Sequence, residues 1–120
     1  INEFFGLGKL SWDTTLLATD LSSEVLGKAN LGIYKKEEVR KLPFHWQTRY
    51  FETVDSQSFK VKEELKKEVL FRRFNLITPT YPFKKPFHVI FCRNVMIYFN
   101  EATRQQILDQ FRSVLVSAFL

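Results

Sequence analysis

Short apolar runs alternate with polar stretches along this chain, and the period of the alternation changes from one region to the next. Leu16, Leu17 and Ala18 form the first run, which predicts a buried strand with Asp20 at its carboxyl end. Ser22 then stands where an N-cap is expected, and Glu24 lies in the first turn, where the helix dipole favours an acid. Val25, Leu26 and Ala29 fall on one face at helical spacing, and Gly32 can close the helix in a left-handed conformation. Residues 35–42 predict a short helix ended by Pro43. Trp46, Tyr50 and Phe51 predict a second small helix or turn whose aromatics form satellite core.

The period then shifts to two. Phe59 and Val61 alternate with Lys60 and Lys62, and residues 68–74 have a similar strand-like content. Joined by the charged turn between them, they predict a hairpin, with residues 49–54 as a third strand. The expectation is an antiparallel insertion over about residues 49–74. Phe87–Cys92 is a near-continuous apolar run of the kind buried on both faces of a parallel sheet. Asn100 caps a further helix, with Glu101 in its first turn and Ile107, Leu108, Phe111, Val114 and Leu115 on one face. Strand, loop and helix recur, which predicts a doubly wound α/β sheet carrying the antiparallel insertion.

Composition narrows the class. A chain of 120 residues suits one small domain or part of a larger one, and 45% hydrophobic residues with 13 phenylalanines exclude disorder. The net charge of +5 fits an acidic partner such as nucleic acid, an anionic cofactor or a carboxylate-rich protein, and it fits scattered solubilising lysines equally well. Nucleic acid has the least support, because no recognition motif accompanies the charge. Cys92 is the only cysteine, so there is no disulfide framework, and a reducing cytoplasm with Cys92 as a buried structural thiol is expected. His45 and His88 share no metal-ligand spacing with it, so no metal site is expected. No apolar run reaches the roughly 18 residues of a membrane span. Gly6-Leu7-Gly8 lacks the later glycine of a phosphate loop and reads as a turn.

Candidate chemistry lies at the predicted strand ends, because open parallel sheets bind ligands outside the carboxyl ends of their strands. Asp20 is at one such end. Arg93 and Asn94 interrupt the apolar stretch "FHVIFCRNVMIYF" at another. An unpaired buried guanidinium is costly, so Arg93 either faces a crevice or is held in an ion pair. Asn75 opens a loop after the last strand of the insertion. An acid in the position of Asp20 accepts hydrogen bonds from ribose hydroxyls in nucleotide-binding units. The plainer alternatives are that Asp20 flanks its helix and that Arg93 pairs with Asp20.

The segments "ATDLSSEVLGKANLGIY", "RYF", "FNL" and "FHVIFCRNVMIYFNEATRQQIL" resemble, in this order, the CheR family of chemotaxis receptor methyltransferases. The resemblance covers about Leu16 to Leu115. It implies a Rossmann-like S-adenosylmethionine-dependent methyltransferase fold, here incomplete, with a small antiparallel β-subdomain as the insertion. It implies methyl transfer from S-adenosylmethionine to glutamate side chains on the cytoplasmic helices of methyl-accepting chemotaxis receptors, leaving S-adenosylhomocysteine. By the same resemblance Asp20 holds the ribose, Asn75, Leu76, Arg93 and Asn94 line the cofactor pocket, and Tyr98 lies near the transferring methyl. The family's helical domain, its glycine-containing loop with paired acids and its last strands have no counterpart here. The chain is therefore expected to be the middle of such an enzyme and inactive alone. The alternative is a non-catalytic interaction module that binds acidic partners through Lys60, Lys62, Lys66 and Lys67.

Overall fold

A computed structural model describes residues 1–117. The chain divides into two compact units, Ile1–Phe74 and Asn75–Leu120. The first contains, in order, α1 (Asn2–Phe5), a 3-10 segment (Gly6–Ser11), β1 (Leu16–Asp20), α2 (Ser23–Leu31), β2 (Ile33–Lys35), α3 (Lys36–Val39), α4 (Phe44–Tyr50), β3 (Phe51–Thr53), β4 (Ser58–Val61), α5 (Glu63–Lys66) and β5 (Val69–Arg73). The second contains a 3-10 turn (Met96–Tyr98) and α6 (Glu101–Val114). The architecture is α/β, with a parallel pair β1–β5 and a separate antiparallel sheet in the order β2–β4–β3.

The β1–α2 unit forms as its sequence dictates. Ser22 accepts the Val25 backbone N–H on its hydroxyl at 3.2 Å, which satisfies one of the free donors at the start of α2. The helix closes at Gly32, whose φ of 67° is left-handed and whose N–H donates to the Lys28 carbonyl. A Cβ there would sit 3.4 Å from Val61 Cβ, an ordinary contact, so it is the left-handed backbone that favours glycine. Gly32→Ala is expected to cost about 1–2 kcal/mol, read as a lowered thermal midpoint; an unchanged midpoint would mean that the turn relaxes without penalty.

The 68–74 strand exists but is not half of a hairpin. Residues 62–68 include the helical turn α5, a longer connection than hairpins use, and it carries the chain from one sheet to the other. β5 then runs parallel to β1, with Leu16 opposite Val69 and Asp20 opposite Arg73. The antiparallel partners of β4 are β3, as predicted, and β2, which the sequence pattern did not reveal. The antiparallel patch thus begins at Ile33 and ends at Val61.

The basic side chains of this region are largely committed internally. Lys62 donates through Nζ to the Thr48 carbonyl at 3.1 Å. Lys60 and Lys66 both pair with Glu63, at 3.7 and 3.6 Å, and the Lys36 ammonium lies over the Phe59 ring. Of the predicted basic face, Lys67 is exposed, and Lys60, Lys62 and Lys66 are half-buried. The aromatic cluster is core in part. Tyr50 is buried and donates its hydroxyl to Glu3 at 2.9 Å, and Phe51 meets Tyr34 edge-on, but Trp46 is exposed.

The second unit is built on α6. Asn100 accepts the Thr103 N–H on its side chain at 2.9 Å as the predicted N-cap. Ile107 is 0% exposed and Val114 is also buried, Phe111 and Leu115 are half-buried, and Leu108 is out of the core. Tyr81 is buried beside Phe111 and Phe83, with ring centroids 6.2 and 6.1 Å away. Gln110 donates to the Pro79 carbonyl at 2.7 Å and accepts from the Tyr81 N–H, which lays the 79–81 segment along the helix.

Phe87–Cys92 is not the buried strand its composition predicts. Its backbone pairing is a single bridge, in which the Phe87 N–H donates to the Val114 carbonyl and the Val116 N–H to the Phe87 carbonyl, both at 2.8 Å. Val89 is 64% and Phe91 93% exposed. A strand apolar on both faces is buried when it lies inside a sheet covered by layers on both faces, and among the described residues none pairs with 88–92.

Candidate functional site

Asp20 ends β1, as predicted, and is exposed. Its Oδ1 accepts the Ser22 backbone N–H at 2.8 Å, a local bond that fixes the carboxylate rotamer at the turn into α2. Oδ2 has no protein partner among the described residues. Beside it, at the end of β5, Arg73 does not pair with the carboxylate; its Nε–H donates to the Leu21 carbonyl at 2.9 Å. The Phe74 N–H donates to the Asp20 carbonyl, so both strands end level. The result is a carboxylate at the carboxyl ends of a parallel pair, held by one oxygen and open at the other. An acceptor so placed suits a vicinal diol, whose hydroxyls donate, the group a ribose presents. A concavity of about 470 Å³ in the same unit, lined by Arg49, Tyr50, Glu64, Lys67 and Glu68, lies by the amino end of β5 and so away from Asp20.

The remaining candidates belong to the second unit. The Asn75 side chain accepts the Ile77 N–H at 3.1 Å and its carbonyl accepts from Thr78, which makes a tight turn. The Leu76 carbonyl accepts the hydroxyl of buried Tyr81 at 2.9 Å. Arg93 and Asn94 are both exposed, so the guanidinium is not a core charge, and among the described residues of its own unit no carboxylate pairs with it. Asn94 has φ 59°, the left-handed region that asparagine tolerates better than most residues, and the chain turns there into the Met96–Tyr98 segment.

Tyr98 is 79% exposed. The turn that carries it is clamped by Arg104, whose Nε–H is shared between the Met96 carbonyl at 2.9 Å and the Phe99 carbonyl at 2.8 Å. Sequence reasoning missed Arg104 and Arg73. Both act by reaching a backbone carbonyl, and a lone arginine in a sequence carries no mark of that. A groove of about 700 Å³ in this unit, lined by Ile90, Leu108, Phe111, Leu115 and Val116 among others, contains none of the site residues.

Cys92 is half-buried, and burial pushes its thiol up, away from the thiolate a nucleophile needs. Burial likewise raises Tyr81. Among the described residues no group of three His, Cys, Asp or Glu side chains is placed to hold a metal ion, and no helix is long and apolar enough to cross a membrane.

The family described as CheR methyltransferase, SAM binding domain, matches residues 5–118. A chemotaxis protein methyltransferase of Borreliella burgdorferi is 40% identical over 115 residues, covering 96% of this chain and 41% of that protein. One from Escherichia coli is 41% identical over 99 residues, covering 80% of this chain and 35% of that protein. A probable biofilm formation methyltransferase of Pseudomonas aeruginosa is 29% identical over 99 residues, covering 82% and 23%. The chain thus spans about two fifths or less of the length of these relatives. S-Adenosylmethionine is the cofactor of the matched domain. Matched along nearly its whole length, the chain belongs to the CheR methyltransferase family, through that family's S-adenosylmethionine-binding domain.

Proposed function

We propose that the protein is a protein-glutamate O-methyltransferase that acts in the cytoplasm on the helices of chemotaxis receptors. The observation that supports it most is Asp20, a carboxylate with one fixed and one open oxygen at a parallel-strand end. Asp20 takes the ribose hydroxyls. Asn75, Leu76, Arg93 and Asn94 line the pocket, and Tyr98 stands near the acceptor. S-Adenosylmethionine supplies, when bound, a methyl group on a sulfonium sulfur, which a glutamate carboxylate oxygen takes as the carbon–sulfur bond breaks and a neutral thioether leaves.

The residues of this chain have no proton to remove in that reaction. A glutamate side chain, with a pKa of about 4.3, is already ionised at neutral pH. Their work is to bind, to orient and to exclude water from the acceptor. Tyr98 orients the acceptor through its hydroxyl. The rival reading, an interaction module driven by Lys60, Lys62, Lys66 and Lys67, loses support because the first three are spent on internal contacts.

Asp20→Asn keeps the shape of the side chain and removes its charge. In the full-length protein it is expected to weaken S-adenosylhomocysteine binding by about 1–3 kcal/mol, the scale of a charge-assisted hydrogen bond. Calorimetric titration measures this directly, and an unchanged dissociation constant would reduce Asp20 to a helix-flanking acid.

A further inference from the structure

One peptide group separates Arg73 from Asp20. The Leu21 carbonyl accepts the Arg73 Nε–H at 2.9 Å, and the N–H of that same peptide, carried by Ser22, donates to Asp20 Oδ1 at 2.8 Å. Arg73 and Asp20 end neighbouring parallel strands in register, so the guanidinium crosses from one strand to the loop that follows the other. It stops at the carbonyl and leaves the carboxylate unpaired.

We infer that Arg73 is a positioning residue for cofactor binding, acting on Asp20 through the Leu21–Ser22 peptide; the inference rests on the reading of Asp20 as the ribose acceptor. A cationic donor on a carbonyl polarises the amide, and the opposite N–H becomes a better donor. The peptide plane is held from both sides. Asp20 Oδ1 is therefore pinned, and Oδ2 is the oxygen presented to a ligand diol. A direct Arg73–Asp20 ion pair would do the reverse, since it would cover the carboxylate. The Ser22 hydroxyl, which caps α2 through Val25, anchors the other end of the same loop.

The test is calorimetric titration of the full-length protein with S-adenosylhomocysteine and with its 2′,3′-dideoxy analogue. Arg73→Met is expected to weaken the first by about fivefold to tenfold, the scale of one cooperative hydrogen bond, and the second by less than about twofold. Asp20→Asn is expected to show the same selectivity, more strongly. Equal losses on both ligands would overturn the inference, because Arg73 would then be acting on the fold at large and not through Asp20. So would an Arg73→Met protein with unchanged affinity for the natural product. If Asp20→Asn itself leaves S-adenosylhomocysteine binding intact, the ribose reading fails and the inference falls with it. Arg73→Gln serves the same comparison should the methionine variant not fold.

Discussion

Ile107→Ala is expected to destabilise the second unit by about 2–5 kcal/mol, the cost of deleting a large aliphatic side chain from a packed interior. Ile107 is fully buried, on the α6 face that also buries Val114. Domain stabilities are typically about 5–15 kcal/mol, so a loss on this scale takes a large share of the total. Ile107→Val is expected to cost about 0.5–1.5 kcal/mol, since only one methylene is removed. Leu108, the next residue on the helix, is half exposed and is the internal control. Urea unfolding of the three variants Ile107→Ala, Ile107→Val and Leu108→Ala is expected to give that order of midpoints, lowest first. A Leu108→Ala midpoint as low as that of Ile107→Ala would mean that α6 packs by a different face. The effect is expected to reach function, because Arg104 on the same helix clamps the turn that carries Tyr98.

Tyr98→Phe is expected to lower kcat by about tenfold to a hundredfold, the cost of a misaligned acceptor, while S-adenosylhomocysteine binds as before. The phenol is exposed on a turn whose carbonyls are gripped by Arg104, which is the arrangement an orienting hydroxyl needs: accessible at its tip and fixed at its base. With no general base in the reaction, the rate of the Tyr98→Phe enzyme is expected to keep the wild-type dependence on pH between about 6 and 9, where a glutamate acceptor stays ionised. Single-turnover rates at several pH values separate the possibilities. A new pH dependence in the variant would make Tyr98 a proton carrier. A matching loss of S-adenosylhomocysteine affinity would make it a cofactor ligand.

What the sequence displayed, and what it hid, follows the range of the interactions concerned. The β1–α2 unit was legible because its signals are local: Asp20, Ser22 and Gly32 each act within a few residues of themselves. The Asn100 cap and the buried positions of α6 were legible for the same reason. Strand pairing was not. Residues 68–74 carry strand composition, but nothing in them says that they lie beside residues 16–20 and not beside 58–61. Strand β2 has three residues, all exposed, and acquires its identity only from pairing with β4. The apolar run 87–92 shows the converse, a segment whose composition calls for a place inside a covered sheet that the described chain does not provide. How far the charged face is committed internally was not legible, because a lysine in a sequence does not reveal whether its ammonium meets solvent or, like Lys62, a carbonyl at the end of a helix. At the site, residue types at predicted strand ends pointed to Asp20, Arg93 and Asn94, of which Asp20 alone ends a strand, whereas the arginines that brace the two loops became visible only in the structure.

The proposed reaction is esterification of glutamate carboxylates by the full-length protein. Its most direct measurement is the fate of the methyl group. The protein is incubated with receptor-containing membranes and methyl-labelled S-adenosylmethionine, and the labelled receptor is then treated with mild alkali. A carboxyl methyl ester hydrolyses, so the account predicts that the label leaves as volatile methanol, and that Asp20→Asn and Tyr98→Phe both reduce it. Label that stays on the receptor after alkali would place the methyl on nitrogen or another stable atom, and would contradict the account.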